Sequence, residues 1–300
     1  MAYLFETFKG WKTYCESNDV SLAESVLAYE IQQKGSSSES IYAGLTKAYS
    51  VMKEAVETGF SQDMTSNSGM INNGAKKVYN YEKPVLSKEF QNLIARALSA
   101  KEVNSCMGRV VAAPTAGASG ILPGVLYTLQ ELHGLTDQQV YDGMLVAAGI
   151  ALIIEHTSSL AGAVGGCQAE TGSAAAMAAG AIVYCLKGSH DQVFDAVGIT
   201  IQCMLGLVCD PVAGLVEVPC VVRNASAAAI ANSSAQIALA GLNAVIPADE
   251  CVQAMAEVAE SMETRYKETA MGGLAATKTG QAIAKRVLIQ DIEILPDQEE

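Results

Sequence analysis

Apolar residues recur at helical spacing through most of this sequence, and polar or glycine-rich stretches separate one periodic run from the next. Ser21-Leu-Ala-Glu24 has the form of a capping box, after which Leu22, Val26, Leu27 and Ile31 share one helical face until Gly35. A second run covers about residues 38–58 and is expected to stop at Gly59. Residues 89–107 bring Phe90, Leu93, Ile94 and Leu98 together, and Pro123 suits the first turn of a helix that continues to about His133. Thr136-Asp-Gln-Gln139 caps a helix to about Glu155, with Val140, Met144, Ala147 and Ala148 facing inward. Glu170 and Thr171 open an Ala- and Gly-rich helix, and Ser189-His-Asp-Gln192 caps one that ends near Leu207. Further helices follow over about residues 225–242 and 247–262, with a short closing helix after Gly280. No stretch alternates with period two between hairpin turns, so the fold class is all-α. Residues 1–300 read as a single helical catalytic domain, within which residues 1–80 are a candidate N-terminal helical subdomain.

The connections carry the polar chemistry. Residues 61–74, dense in Ser, Asn and Gly, exceed the usual loop length and read equally as a surface connection and as a functional loop. In Val110 to Leu126, Gly117 and Gly120 can take backbone shapes that other residues resist. A Thr/Ser/Gly loop feeding a helix N-terminus is in outline an anion cradle, although the same features make a well-capped turn between buried helices. Residues 209–224, with two prolines, cannot form one continuous helix, and residues 268–280 make a third small-residue loop.

Half of the residues are apolar and 17% are charged, which is ample for a large buried core. Acidic residues outnumber basic ones 32 to 19 with no Lys/Arg-rich run, which argues against nucleic acid as a partner. Mean hydropathy is +0.22, yet the most apolar window, Leu145 to Ile154, is too short to span a bilayer, so no membrane partner is expected. The N-terminus lacks the layout of a secretory signal, which points to a reducing cytoplasm where the eight cysteines are thiols or metal ligands.

Cys15, Cys106, Cys185, Cys203 and Cys251 sit within helical patterns and read as small buried hydrophobes. Cys167, Cys209 and Cys220 lie beside Gly or Pro, where an irregular backbone can direct N–H groups at sulfur, and they form a candidate three-cysteine metal site. The absence of a CxxC pair excludes the ordinary zinc-ribbon and ferredoxin spacings. Spacing by itself leaves a metal site and three buried thiols both open. Three thiolates without a fourth would suit a cluster with one iron open to substrate.

The segments APTAGASGILPG, GGCQAE with GSA, LGLVCDPVAGLVEVPCVVRNA and GGLAATKTG, in this order, resemble the alpha chain of the iron–sulfur-dependent L-serine dehydratases over about Gly59 to Gly280. The resemblance implies an all-helical catalytic subunit with a [4Fe–4S] cluster on Cys167, Cys209 and Cys220, converting L-serine to pyruvate and ammonia. That family occurs as one long chain or as two chains, and only the alpha portion is present here, which implies a separate beta subunit.

Elimination from serine needs a Lewis acid on the hydroxyl and a base at the α-carbon, and an open iron supplies the first. Thr65, Ser66, Ser68 and Gly69 in one loop, with Thr115, Gly117 and Ser119 in another, are expected to fix the substrate carboxylate through hydroxyl and backbone donors. His156 is the first candidate for the base and Lys278 the second, unless the beta subunit supplies it. A pyridoxal-phosphate dehydratase would need α/β architecture, for which the strand signal is missing. A cluster-dependent L-cysteine desulfidase and a non-enzymatic iron–sulfur redox sensor are the alternatives; the sensor would not need the two Ser/Thr/Gly loops.

Overall fold

A computed structural model describes residues 5–294. Thr7 caps α1 (Phe8–Asn18) through its hydroxyl, and the buried Trp11 on that helix donates its indole N–H to Ser25 Oγ at 2.7 Å. The capping box at Ser21 and Glu24 opens α2 (Leu22–Lys34) as expected, with both reciprocal hydrogen bonds formed and Gly35 in the left-handed conformation at its end. α3 (Ser38–Ser61) runs through Gly59 rather than stopping there. Gly59 is buried, and a Cβ on it would come within 2.7 Å of the Ser99 carbonyl oxygen, so the glycine permits two helices to touch.

After the polar loop comes α4 (Gly74–Tyr79), a short helix with no local side-chain cap. Its first N–H groups are satisfied from a distance, Gly74 N donating to Glu102 Oε1 at 2.8 Å and Ala75 N to Oε2 at 3.2 Å. Glu102 belongs to α5 (Lys88–Ser105), which packs on α3, α4 and α6 (Ile121–His133). Thr136 and Gln139 form the second capping box, at the head of α7 (Asp137–Thr157). Val140, Met144 and Ala147 face inward as expected, whereas Ala148 is exposed because it falls on the opposite side of the turn.

The four-residue α8 (Gly162–Gly165) and a five-residue π-helical turn, Gln168–Gly172, lead into α9 (Ser173–Cys185). All of α9 except Tyr184 is buried, among α6, α7, α10 (His190–Met204) and α11 (Cys220–Leu239). Its Ala and Gly surface lets these neighbours close in: a Cβ on Gly180 would stand 2.3 Å from Ile150 Cδ1 of α7. Enlarging such a residue would strain the packing by about 1–3 kcal/mol. α10 carries the third capping box, Ser189 with Gln192, and ends at Met204 rather than Leu207. α11 begins at Cys220, so the irregular stretch expected over residues 209–224 is shorter than its prolines suggest. α12 (Ala248–Ser261) and α13 (Lys278–Ile294) complete the chain, the latter longer than the short closing helix expected.

One apolar cluster extends from Phe5 to Met255, tying α1 and α2 to α7, α10 and α12. Among the described residues there are thirteen α-helices and no strand, only the isolated bridges Thr65–Asn72 and Cys209–Lys267, which bears out the all-α expectation. One helix, Asp137–Thr157, passes a length-and-composition test for crossing a membrane, and 56% of its apolar window is buried inside the fold.

Candidate functional site

Three connections converge on one buried centre. Gly166, at φ +76°, turns the chain into Cys167, and a side chain there would strike Met262 Sδ at 2.7 Å. The π-turn that follows is pinned by Gln168, whose amide donates to Met255 O at 3.0 Å and whose carbonyl oxygen accepts from Gly206 N at 2.8 Å. Single π-helical turns occur frequently at functional sites, and here the turn carries Glu170 and follows directly on Cys167. Cys209 is held by backbone bonds in both directions, its N–H donating to Tyr266 O and its carbonyl accepting from Glu268 N, each at 2.8 Å.

Cys167 Sγ, Cys209 Sγ and a Glu170 carboxylate oxygen lie within 4.8 Å of one another, all buried. Cys220, at the first position of α11, is outside that group but near enough for the Cys167 charge to act on it and for its own charge to act on Lys101. Gly162 faces the same centre, since a Cβ there would stand 3.2 Å from Cys209 Sγ and 3.4 Å from both Glu170 Oε2 and Glu268 Oε2.

The electrostatics follow from this crowding. Cys209 shares a hydrogen bond with Cys167 that lowers Cys167 to about 7 against the opposing effect of burial; Thr171, 3.1 Å away, and the Arg223 charge add to the lowering. The same bond and then burial raise Cys209, and burial foremost pushes Cys220 up to about 12. Arg223 is fixed by Asp210 at 2.8 Å and donates to Val208 O at 2.9 Å. Burial, then the Glu170 charge, raise Glu268. Two buried thiols and one buried carboxylate, with the exposed Glu268 at their edge and one arginine beside them, are a donor set suited to a metal cation or a metal–sulfur cluster.

A second group of residues lies beside the first. Thr115 donates its hydroxyl to Glu170 Oε1. Gly117 and Gly120 do not adopt left-handed backbone; they are needed for close approach, because a Cβ on Gly117 would lie 2.3 Å from Glu170 Oε1 and one on Gly120 2.2 Å from Ala97 O. Asn224 locks this loop, accepting from Gly120 N at 2.9 Å and donating to Gly117 O at 2.8 Å. The Ser119 hydroxyl is buried without a partner. Lys101, wholly buried on α5, donates to Asn104 Oδ1, and burial lowers its pKa although the charges of Cys220, Glu170 and Glu217 act to raise it.

A cleft of about 660 Å³ runs past Asn104, Gly117, Ser68 and Glu217. Ser66 and Ser68 are buried in the first loop, Thr65 and Gly69 are exposed on it, and both serines bond Glu217 Oε2 at 2.6 Å. His156 is exposed at the end of α7, 3.8 Å from Glu6, and Lys278 is exposed at the start of α13. Among the cysteines read as buried hydrophobes, Cys15, Cys185 and Cys251 are so, Cys106 is half-buried and Cys203 is exposed.

Sequence reasoning had not assigned Lys101, Glu170, Glu217, Glu268 or Asn224 to the site. For Glu170 the three-residue spacing from Cys167 was an available signal; for the others the contacts arise only in the folded chain.

Residues 17–275 match the sequence family described as serine dehydratase alpha chain. An L-serine dehydratase alpha chain of Peptoniphilus asaccharolyticus is 42% identical over 277 residues, covering 91% of this chain and 95% of that one. A protein of Bacillus subtilis named "Probable L-serine dehydratase, alpha chain" is 38% identical over 287 residues, covering 95% of each. An L-serine dehydratase of Streptomyces coelicolor is 37% identical over 267 residues, a span that takes 86% of this chain and 58% of that longer one.

Proposed function

The chain belongs to the serine dehydratase alpha chain family, and on that premise we propose that it is the alpha subunit of a [4Fe–4S]-dependent L-serine dehydratase. The observation that carries the reading is the buried convergence of Cys167, Cys209 and Glu170, with Cys220 beside it, packed through Glu170 against Gly117 of a cleft that Thr65 and Ser68 also line.

Cys167, Cys209 and Cys220 would hold the cluster. When bound, it supplies a Lewis acid for the departing β-hydroxyl. The chain's own residues shape the rest. Thr115 and the bare backbone of Gly117 orient Glu170, and Asn224 keeps that loop from moving. Thr65, Ser68 and Gly117 line the cleft in which the amino acid is oriented, Ser66, Ser119 and Lys101 are the buried polar groups behind that lining, and Gly69 is exposed on the first loop. Loss of the α-proton and the β-hydroxyl gives water and an enamine, which tautomerises to an imine and hydrolyses to pyruvate and ammonia. His156 and Lys278, both exposed, are the base candidates within this chain, but the reading favoured here places the base on a separate beta subunit. Eight free thiols accord with a cytoplasmic setting.

The test is anaerobic reconstitution with iron and sulfide, with and without a beta chain, followed by a pyruvate assay on L-serine and on L-cysteine. The expected result is pyruvate from serine that depends on the beta chain. Full turnover by the alpha chain alone overturns the partner assignment, and preference for cysteine overturns the substrate assignment.

A further inference from the structure

Ser66 Oγ and Ser68 Oγ lie 3.1 Å apart, and each reaches Glu217 Oε2 at 2.6 Å. A carboxylate only accepts, so both hydroxyls donate to it; each also accepts one backbone N–H, Ser68 from Met70 at 3.1 Å and Ser66 from Ile71 at 3.2 Å, and what each keeps for a ligand is one lone pair. Glu217 is 6% exposed, has no Lys, Arg or His nitrogen within ion-pair distance among the described residues, and receives no described hydrogen bond at Oε1. Lys101, a neighbouring cation, is turned to Asn104. A buried carboxylate without a countercharge is costly, and a second carboxylate brought against it would be repelled. The cluster opens on the cleft through Ser68 and Glu217, and Arg286 of α13 braces its loop by donating to Ser68 O at 3.2 Å.

We infer that Glu217, with Ser66 and Ser68, receives the ammonium group of the substrate amino acid rather than its carboxylate, and so selects α-amino acids over the matching hydroxy acids. An ammonium brings three donors and a positive charge to a place that offers a free carboxylate oxygen and hydroxyl lone pairs. The substrate carboxylate is then left to the Ala116–Gly117 side of the cleft, behind which Lys101 packs beside Gly120 and the Ser119 hydroxyl is without a partner. This assignment rests on the serine reading above and adds to it which end of the substrate lies where.

L-Alanine and L-lactate differ in ammonium against hydroxyl and have no leaving group, so both can be titrated by calorimetry into the reconstituted alpha–beta complex. The wild type should bind L-alanine at least tenfold more tightly than L-lactate, and Glu217→Gln should lose about tenfold or more for L-alanine with L-lactate unchanged. Glu217→Asp should retain most of the preference. Absence of L-alanine binding, equal affinity for the two ligands in the wild type, or an equal loss for both in Glu217→Gln overturns the inference. A pyruvate assay with L-serine on the same preparation reads the functional assignment separately. Turnover without the alanine preference overturns only the Glu217 role, and the preference without turnover supports that role while overturning serine dehydration.

Discussion

Gly117 occupies the position at which any side chain would collide with Glu170: a Cβ there would stand 2.3 Å from Oε1 and 2.7 Å from Cδ. The absence of a side chain at residue 117 therefore sets where a carboxylate beside Cys167 can be. Gly117→Ala should push Glu170 aside at a cost of about 1–3 kcal/mol and lower pyruvate formation at least tenfold with the helical circular dichroism intact. Unchanged kinetics would show that the Glu170 position does not matter to turnover.

Asn224 of α11 joins the same loop to its helix through two hydrogen bonds, to Gly117 O and from Gly120 N, and makes a third to Cys220 O within the helix. Replacing it with alanine strands buried groups on both sides, and the loss should be on the order of 3 kcal/mol in a denaturant titration. Asn224→Asp keeps the acceptor for Gly120 but faces two carbonyl oxygens, and it should be no more stable than the alanine variant.

Burial foremost holds Lys101 below its usual 10.5. Between the lowered value and 10.5 the folded chain binds fewer protons than the unfolded one, so this residue makes stability rise with pH across that window. Lys101→Met should therefore melt higher than the cluster-free wild type at neutral pH, lose that part of the pH slope, and form no pyruvate once reconstituted. A variant that melts lower at every pH would show that Lys101 stabilises the fold.

The Ser119 hydroxyl is buried and unpartnered, which ordinarily costs stability. Ser119→Ala should be neutral or stabilising in a thermal melt while raising the KM for serine. Reduced stability with an unchanged KM would give the hydroxyl a structural role instead.

What could be read from the sequence was what is local. The three capping boxes lie within four residues each, and all three form. α4 was not foreseen because its cap is Glu102, 28 residues from Gly74, and Gly59 looked like a helix end because its reason, the contact with Ser99, lies on another helix. Within the site, the irregular backbone around Cys167 and Cys209 marked them out, and the structure brings the two together. Ser66 and Ser68 stood out as donors, but the acceptor that takes both is separated from them by 151 and 149 residues, so a donor cradle in the sequence becomes an acceptor cradle in the fold. Cys203 fitted the helical pattern of a buried thiol, yet the face of α10 that bears it is exposed.

The central claim, that the converging cysteines hold the group on which serine dehydration depends, is tested most directly by substituting them one at a time. Iron, acid-labile sulfide and pyruvate formation are measured after anaerobic reconstitution of Cys167→Ser, Cys209→Ser and Cys220→Ser with the beta chain, and of Cys203→Ser as an exposed control. The account predicts that the first three lose iron, sulfide and pyruvate formation together while Cys203→Ser keeps all three. Wild-type iron content and turnover in the three site variants would contradict it.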